Sequence, residues 1–182
     1  MIMTELDIPP WLGTVSGKRI DLLDPDPSQI CIEDIAHALS RIPRFGGHLE
    51  REWSIADHSL LVADLVAKPY KLQALLHDAT EAYICDIPSP LKQLLGEPYA
   101  KIEARLANAI GEALGVDLTN LPTVIKLADR VALMSEREAF QPRSAEWGYD
   151  LSHGLRVRIQ KYYSYESTYN EFLKRFIEYA QG

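Results

Sequence analysis

Cysteine is nearly absent from this chain: only Cys31 and Cys85 occur, and they form no CxxC pair. A reducing cytoplasm is therefore expected. Long apolar runs are missing as well. None approaches the roughly 20 residues of a membrane span, and no basic stretch leads into an apolar segment of signal length, so a soluble cytoplasmic protein with no membrane partner is expected. Positive charge is concentrated nowhere. The formal net charge is −7 and Lys and Arg form no cluster, which argues against a nucleic-acid polymer or an anionic membrane as the main partner. An anionic small molecule would need local help from a metal or a few basic residues. Low-complexity segments and internal repeats are lacking too.

What is present suffices for one core. With 182 residues, 47% of them hydrophobic, residues 1–182 are read as a single domain. Pro9-Pro10-Trp11 reads as an arm. Thr14 to Leu22, turning at Ser16-Gly17, reads as a small hairpin ended by Asp24-Pro25-Asp26-Pro27. The spacing of Ile32, Ile35, Ala36, Leu39 and Ile42 predicts a helix closed by Pro43. After the loop Arg44-Phe45-Gly46-Gly47-His48, Ser54 offers an N-cap to a helix carrying Ile55, His58, Leu61, Val62, Leu65 and Val66.

A further helix is expected from about Tyr70 to Ile84, with Leu72, Leu75, Leu76, Ala79 and Tyr83 as its apolar stripe. Asp86-Ile87-Pro88-Ser89-Pro90 breaks it. A long helix then runs from about Pro98 to Leu114, with Gly115 in the terminating place. Pro122 opens another over 123–140, on which Ile125, Ala128, Asp129 and Ala132 share a face, with Asp129 read as the lone acid of that face. A loop around Gly148 to Gly154 precedes a last helix bearing Tyr165, Tyr169, Phe172, Leu173 and Phe176. The expected fold is mostly α with a small N-terminal hairpin or arm. The terminal aromatic stripe is read as core or a subunit contact.

Chemistry concentrates in His77-Asp78-Ala79-Thr80-Glu81 and Asp86, with His58 upstream and Asp129 downstream. His58 and Asp129 lie on inward stripes, where imidazole and carboxylate from facing helices can join His77 and Asp78 around one ion. Taken singly, His58 would be a core histidine and Asp129 a helix acid paired with Arg130 or Lys126; their combination with His77-Asp78 points to a metal. Such a mixed N2O2 shell suits Mn, Co, Zn, Fe or Mg. An ion of this kind neutralises phosphoryl oxygens and lowers the pKa of bound water, the Lewis-acid route to ester hydrolysis. Glu81, one turn from His77, is free for proton transfer. Asp86 suits either that work or a turn role before Pro88. His48, after the double glycine, can reach a phosphate. His37, among Ile35, Ala36 and Leu39, reads as a packing residue.

His58, His77-Asp78 and Asp129 resemble the H…HD…D signature of the HD superfamily of metal-dependent phosphohydrolases. Asp57-His58-Ser59, His77-Asp78-Ala79-Thr80-Glu81, Asp86-Ile87-Pro88-Ser89-Pro90-Leu91-Lys92 and Lys126-Leu127-Ala128-Asp129 narrow the resemblance to the YfbR-like 5'-deoxynucleotidase branch, over residues 30 to 140. The resemblance implies an all-α HD-domain helical bundle, with His58, His77, Asp78 and Asp129 as metal ligands. It also implies a deoxynucleotide substrate and a homo-oligomer. By the same resemblance Glu81 and Asp86 act on water or the leaving oxygen, Arg44 and Lys92 meet phosphate, and Phe45 stands where the family usually has a tryptophan. Relatives include phage deoxynucleoside triphosphohydrolases, so monophosphate and triphosphate substrates are both open. A non-catalytic nucleotide-binding module is the alternative of another class.

Overall fold

The computed structural model describes residues 10–141, 157–159 and 164–181; Pro9 and the loop expected around Gly148 to Gly154 lie outside them. Among the described residues there are eight α-helices and one two-stranded sheet, so the fold is all-α with a small N-terminal hairpin. Strand β1 (Trp11–Gly13) pairs antiparallel with β2 (Arg19–Asp21), with Leu12 opposite Ile20. The first strand thus begins earlier than the expected Thr14, because Thr14 to Lys18 are consumed by the turn, where the Thr14 amide bonds the Lys18 carbonyl and Gly17 takes φ 83°. Asp34 docks the hairpin, accepting from the Ser16 amide at 3.0 Å and its hydroxyl at 2.7 Å.

The helices are α1 (Ile32–Leu39), α2 (Ile55–Asp64), α3 (Lys71–Leu75), α4 (Glu81–Ile84), α5 (Ser89–Leu95), α6 (Glu97–Leu114), α7 (Thr123–Phe140) and α8 (Tyr165–Ala180). Helix α2 is the central element, packed by α3, α7 and α8. Its start is held twice. Ser54 and Asp57 form a reciprocal capping box, worth about 1 kcal/mol, and Thr168 of α8 donates to the other Asp57 oxygen at 3.0 Å. Ile35, Leu39, Ile55, Leu75, Leu76, Leu106, Ile110, Ile125 and Phe172 are fully enclosed around it. No helix among the described residues is long and apolar enough to cross a membrane.

One expected element is divided. The stretch from Tyr70 to Ile84 forms a short 3-10 turn at Lys68–Tyr70 and then α3 and α4, with Leu76 to Thr80 in turns between them. There the ladder tightens to three-residue spacing, as the Ala79 amide bonds Leu76 and the Glu81 amide bonds Asp78. His77 therefore sits between helices and not within one. Its Nδ1 lies 2.8 Å from the Ala74 carbonyl oxygen.

Candidate metal centre

The site forms where α2, the turns between α3 and α4, and α7 converge. His58 projects from α2, buried completely. His77 and Asp78 come from the tight turns, and Asp129 from α7. Ligand atoms of His58, His77 and Asp129 all lie within 4.8 Å of one another, so this cluster could hold a metal ion. Asp78 borders the same point, with Oδ2 3.2 Å from His77 Nε2 and 3.6 Å from His58 Nε2. His58 Nε2 is 3.1 Å from Asp129 Oδ1.

The donor set fits a cation. Nε2 of His58 and Nε2 of His77 are both buried without a hydrogen-bond partner, an expensive condition for polar atoms unless something else binds them. Both Nδ1 atoms are engaged elsewhere, on Ala74 and on Glu136, so each ring presents Nε2 to the cluster. Electrostatics agree. Burial and the Arg44 charge oppose a proton on His58, yet Glu136 and Asp129 outweigh them and push it up to about 10. Burial would raise the Asp78 carboxyl, but His77, His58 and Arg44 hold it well below the usual carboxylate range. The Asp129 carboxyl is lowered by His58 against the same burial. The cluster thus favours positive charge at its centre.

A second group of charges adjoins the first. Arg44 is only 8% exposed, its amide bonded to the Trp53 carbonyl, which ties the loop to the start of α2. Its guanidinium reaches Asp86 Oδ2 at 3.3 Å and Glu136 Oε2 at 3.6 Å. Burial opposes its charge, but Glu136, Asp78, Asp86 and Glu81 hold its pKa above the ordinary arginine value. Glu81 is buried on α4, with Oε1 3.1 Å from Lys92 Nζ and Oε2 unpartnered. Burial, with Asp78 and Asp86 beside it, pushes its carboxyl up to about 8. Lys92, on α5, also contacts Glu103 of α6 at 3.1 Å.

The structure therefore brings His58, His77, Asp78, Asp129, Glu81, Asp86, Arg44 and Lys92 into one region. Asp86 is partnered with Arg44 and does not cap α5, whose N-cap is Pro88. Phe45 is half-buried beside the Arg44 guanidinium, 5.6 Å from its ring centre. His48 is exposed at the end of the 3-10 turn Arg44–Gly47, and its carbonyl accepts from Gln141. Among the described residues no contact joins it to the cluster. His37 packs edge-on to Tyr169, as a packing residue should.

Two acids escape a sequence reading. Glu136, 0% exposed, continues the inward stripe of α7, so Asp129 is not the only acid on that face. Seven residues are about 700° of helix, within about 20° of two full turns, and a glutamate in register with Ala132 and Ile125 was the available signal. Glu103 carried no signal, because its partner Lys92 lies on another helix.

Fold and site together define a helical protein with a histidine–aspartate cluster that could hold a metal ion. No family model matches the chain. It is 41% identical to the uncharacterized protein YfdR of Escherichia coli K12 over 127 residues, 70% of each chain. An uncharacterized protein of Rhodobacter capsulatus is 40% identical over 131 residues, 67% of this chain and 66% of that one. The chain belongs to the family of the YfdR protein.

Proposed function

We propose that this protein is a metal-dependent phosphohydrolase of the HD superfamily that acts on deoxynucleotides, releasing phosphate from deoxynucleoside 5'-monophosphates. The observation that carries the reading is the pair of unpartnered imidazole nitrogens facing Asp78 and Asp129, with a buried arginine and a glutamate–lysine pair alongside. A purely structural metal site needs neither of those additions.

His58, His77, Asp78 and Asp129 would hold one Mn, Co, Zn, Fe or Mg ion. When bound, the ion supplies a Lewis acid that draws charge from a phosphoryl group and acidifies water. The chain's own residues do the rest. Arg44, permanently charged and backed by Asp86 and Glu136, presents planar donors suited to phosphate oxygens, and Lys92 adds a second cation from α5. Glu81 is a proton donor at neutral pH, because its carboxyl ionises at about 8, and its free Oε2 is the atom that can deliver the proton. In hydrolysis a water oxygen forms the new bond to phosphorus, the bond from phosphorus to the ester oxygen breaks, that leaving oxygen takes the Glu81 proton, and the Glu81 carboxylate is reprotonated by the proton the attacking water gives up. Asp86 holds Arg44 in line until the anion takes its place.

Product analysis tests this. Metal-reconstituted protein incubated with deoxynucleoside mono- and triphosphates and their ribonucleotide counterparts should yield orthophosphate from the monophosphates. Tripolyphosphate from one triphosphate would make it a triphosphohydrolase. No turnover with any of the five metals would leave a nucleotide-binding module.

A further inference from the structure

We propose that Glu136 is a positioning residue for the metal centre: its carboxylate holds His58 Nδ1 and so sets the tautomer and orientation of that ring. The inference rests on the metal-binding half of the reading above and not on the hydrolysis. His58 Nδ1 and Glu136 Oε1 are 2.7 Å apart, both side chains fully enclosed. A carboxylate can only accept, so Nδ1 carries a proton and Nε2 is the nitrogen that offers its lone pair to a cation in the cluster. On the other side of the ring, Nε2 lies 3.1 Å from Asp129 Oδ1. One helix face thus supplies a carboxylate to each nitrogen of the same imidazole, two turns apart on α7.

The contrast with His77 sharpens the assignment. His77 Nδ1 is matched with a backbone carbonyl, that of Ala74 at 2.8 Å, a neutral acceptor that orients the ring but draws less on its proton. Of the two imidazoles His58 is the one backed by a carboxylate, and metal-ligating histidines backed in this way bind their ion more tightly. Simple packing does not explain the residue. Enclosing a carboxylate is costly, and an apolar side chain of similar volume fills the same space more favourably. Arg44 Nη2 stands 3.6 Å from the second Glu136 oxygen and supplies its counter-charge. The same carboxylate therefore ties the arginine next to the site to the ligand within it.

The test uses binding of zinc alone, without turnover. In the wild-type chain carrying 15N-labelled histidine, a zinc titration followed by long-range proton–nitrogen correlation should show His58 bonded to zinc through Nε2 with the proton kept on Nδ1. Zinc on Nδ1 of His58 overturns the proposal. Zinc affinity from chelator competition should fall by about 10–100-fold in Glu136→Gln, which keeps an acceptor oxygen and the volume but removes the charge. Glu136→Asp should recover part of the loss, and Glu171→Gln, a carboxylate paired with Arg175 on α8, should change nothing. If Glu136→Gln fails to fold, the pair Arg44→Met and Glu136→Leu removes both enclosed charges and should show the same fall. Affinity within about twofold of wild type in whichever variant folds overturns the role of Glu136 alone. A wild-type chain that binds no zinc, cobalt or manganese overturns the metal reading with it.

Discussion

Arg44 Nη1 donates to Asp86 Oδ2 at 3.3 Å across 42 residues of sequence, and each of the two stands beside a strained residue. Phe45 follows Arg44 with φ 56°, and Cys85 precedes Asp86 with φ 64° and ψ 165°. Among the described residues these are the two non-glycine positions with positive φ. Each such conformation costs about 1–3 kcal/mol and persists only where the surroundings impose it. Here the strain turns the guanidinium and the carboxylate toward one another, next to Glu81 and the metal cluster.

Glycine at position 85 removes the steric cause of that strain. Cys85→Gly should raise stability by about 1 kcal/mol, which is about 2–4 °C in Tm for a chain of this size, while lowering kcat because Asp86 is held less firmly. Thermal unfolding and steady-state kinetics on the same preparation check this. A variant with higher Tm and unchanged kcat would show that the strain does not serve the site.

Arg44 is the counter-charge of an enclosed carboxylate. Arg44→Ala leaves Glu136 and Asp86 facing one another without it, and should cost about 3–5 kcal/mol in urea unfolding. In the background of Glu136→Gln the same substitution should cost less, with a coupling of about 1–3 kcal/mol. Strict additivity would mean that the 3.6 Å approach carries no energy.

The Glu81 carboxyl gives a pH dependence of defined sign. It ionises at about 4.3 in an unfolded chain and at about 8 in the folded, chelator-treated protein. Because the folded value is the higher one, its stabilising contribution is fully present below about 4.3 and is lost as pH rises to about 8. Glu81→Gln mimics the neutral form. Its Tm should match the wild type at pH 4 and exceed it increasingly up to pH 8, with no further gain above. A constant difference across this range would contradict the raised value. The variant should keep its metal and lose turnover by about 100-fold or more.

Removing a charged ligand should act on metal and activity together. Asp78→Ala takes away the carboxylate nearest His77 Nε2, which also lies 3.6 Å from His58 Nε2, so metal content by atomic emission and phosphate release should fall in parallel. Turnover that survives complete metal loss would sink the proposed mechanism.

Much of the fold is legible in the amino acids because its causes are local. Ser54 with Asp57 three residues on is a helix start written in four positions, and α2 begins there with the full capping box. The 123–140 helix, opened by Pro122, runs over Thr123–Phe140, and the left-handed Gly115 ends α6 where a terminating glycine was expected. The division at Leu76 to Thr80 was not legible. Apolar positions three and four apart satisfy one continuous helix as well as two short ones joined by tight turns, and only packing of α3 against α2 and α8 and of α4 against α1 separates these.

The same boundary runs through the site. The residue types and their spacing along the chain determined that His58 and Asp129 would face inward, since the period of their helices assigns them to apolar stripes, whereas His77 and Asp78 lie in tight turns that periodicity does not foretell. Tertiary structure alone decided which atom meets which. Glu136 finds His58 Nδ1 from 78 residues away, Arg44 is held between Asp86 and Glu136, and His48, close in sequence to Arg44, is left exposed outside the cluster. Periodicity sets the face of a helix through short-range sterics; the pairing of enclosed charges depends on distances across the assembled core, where each ion is stable only beside its partner.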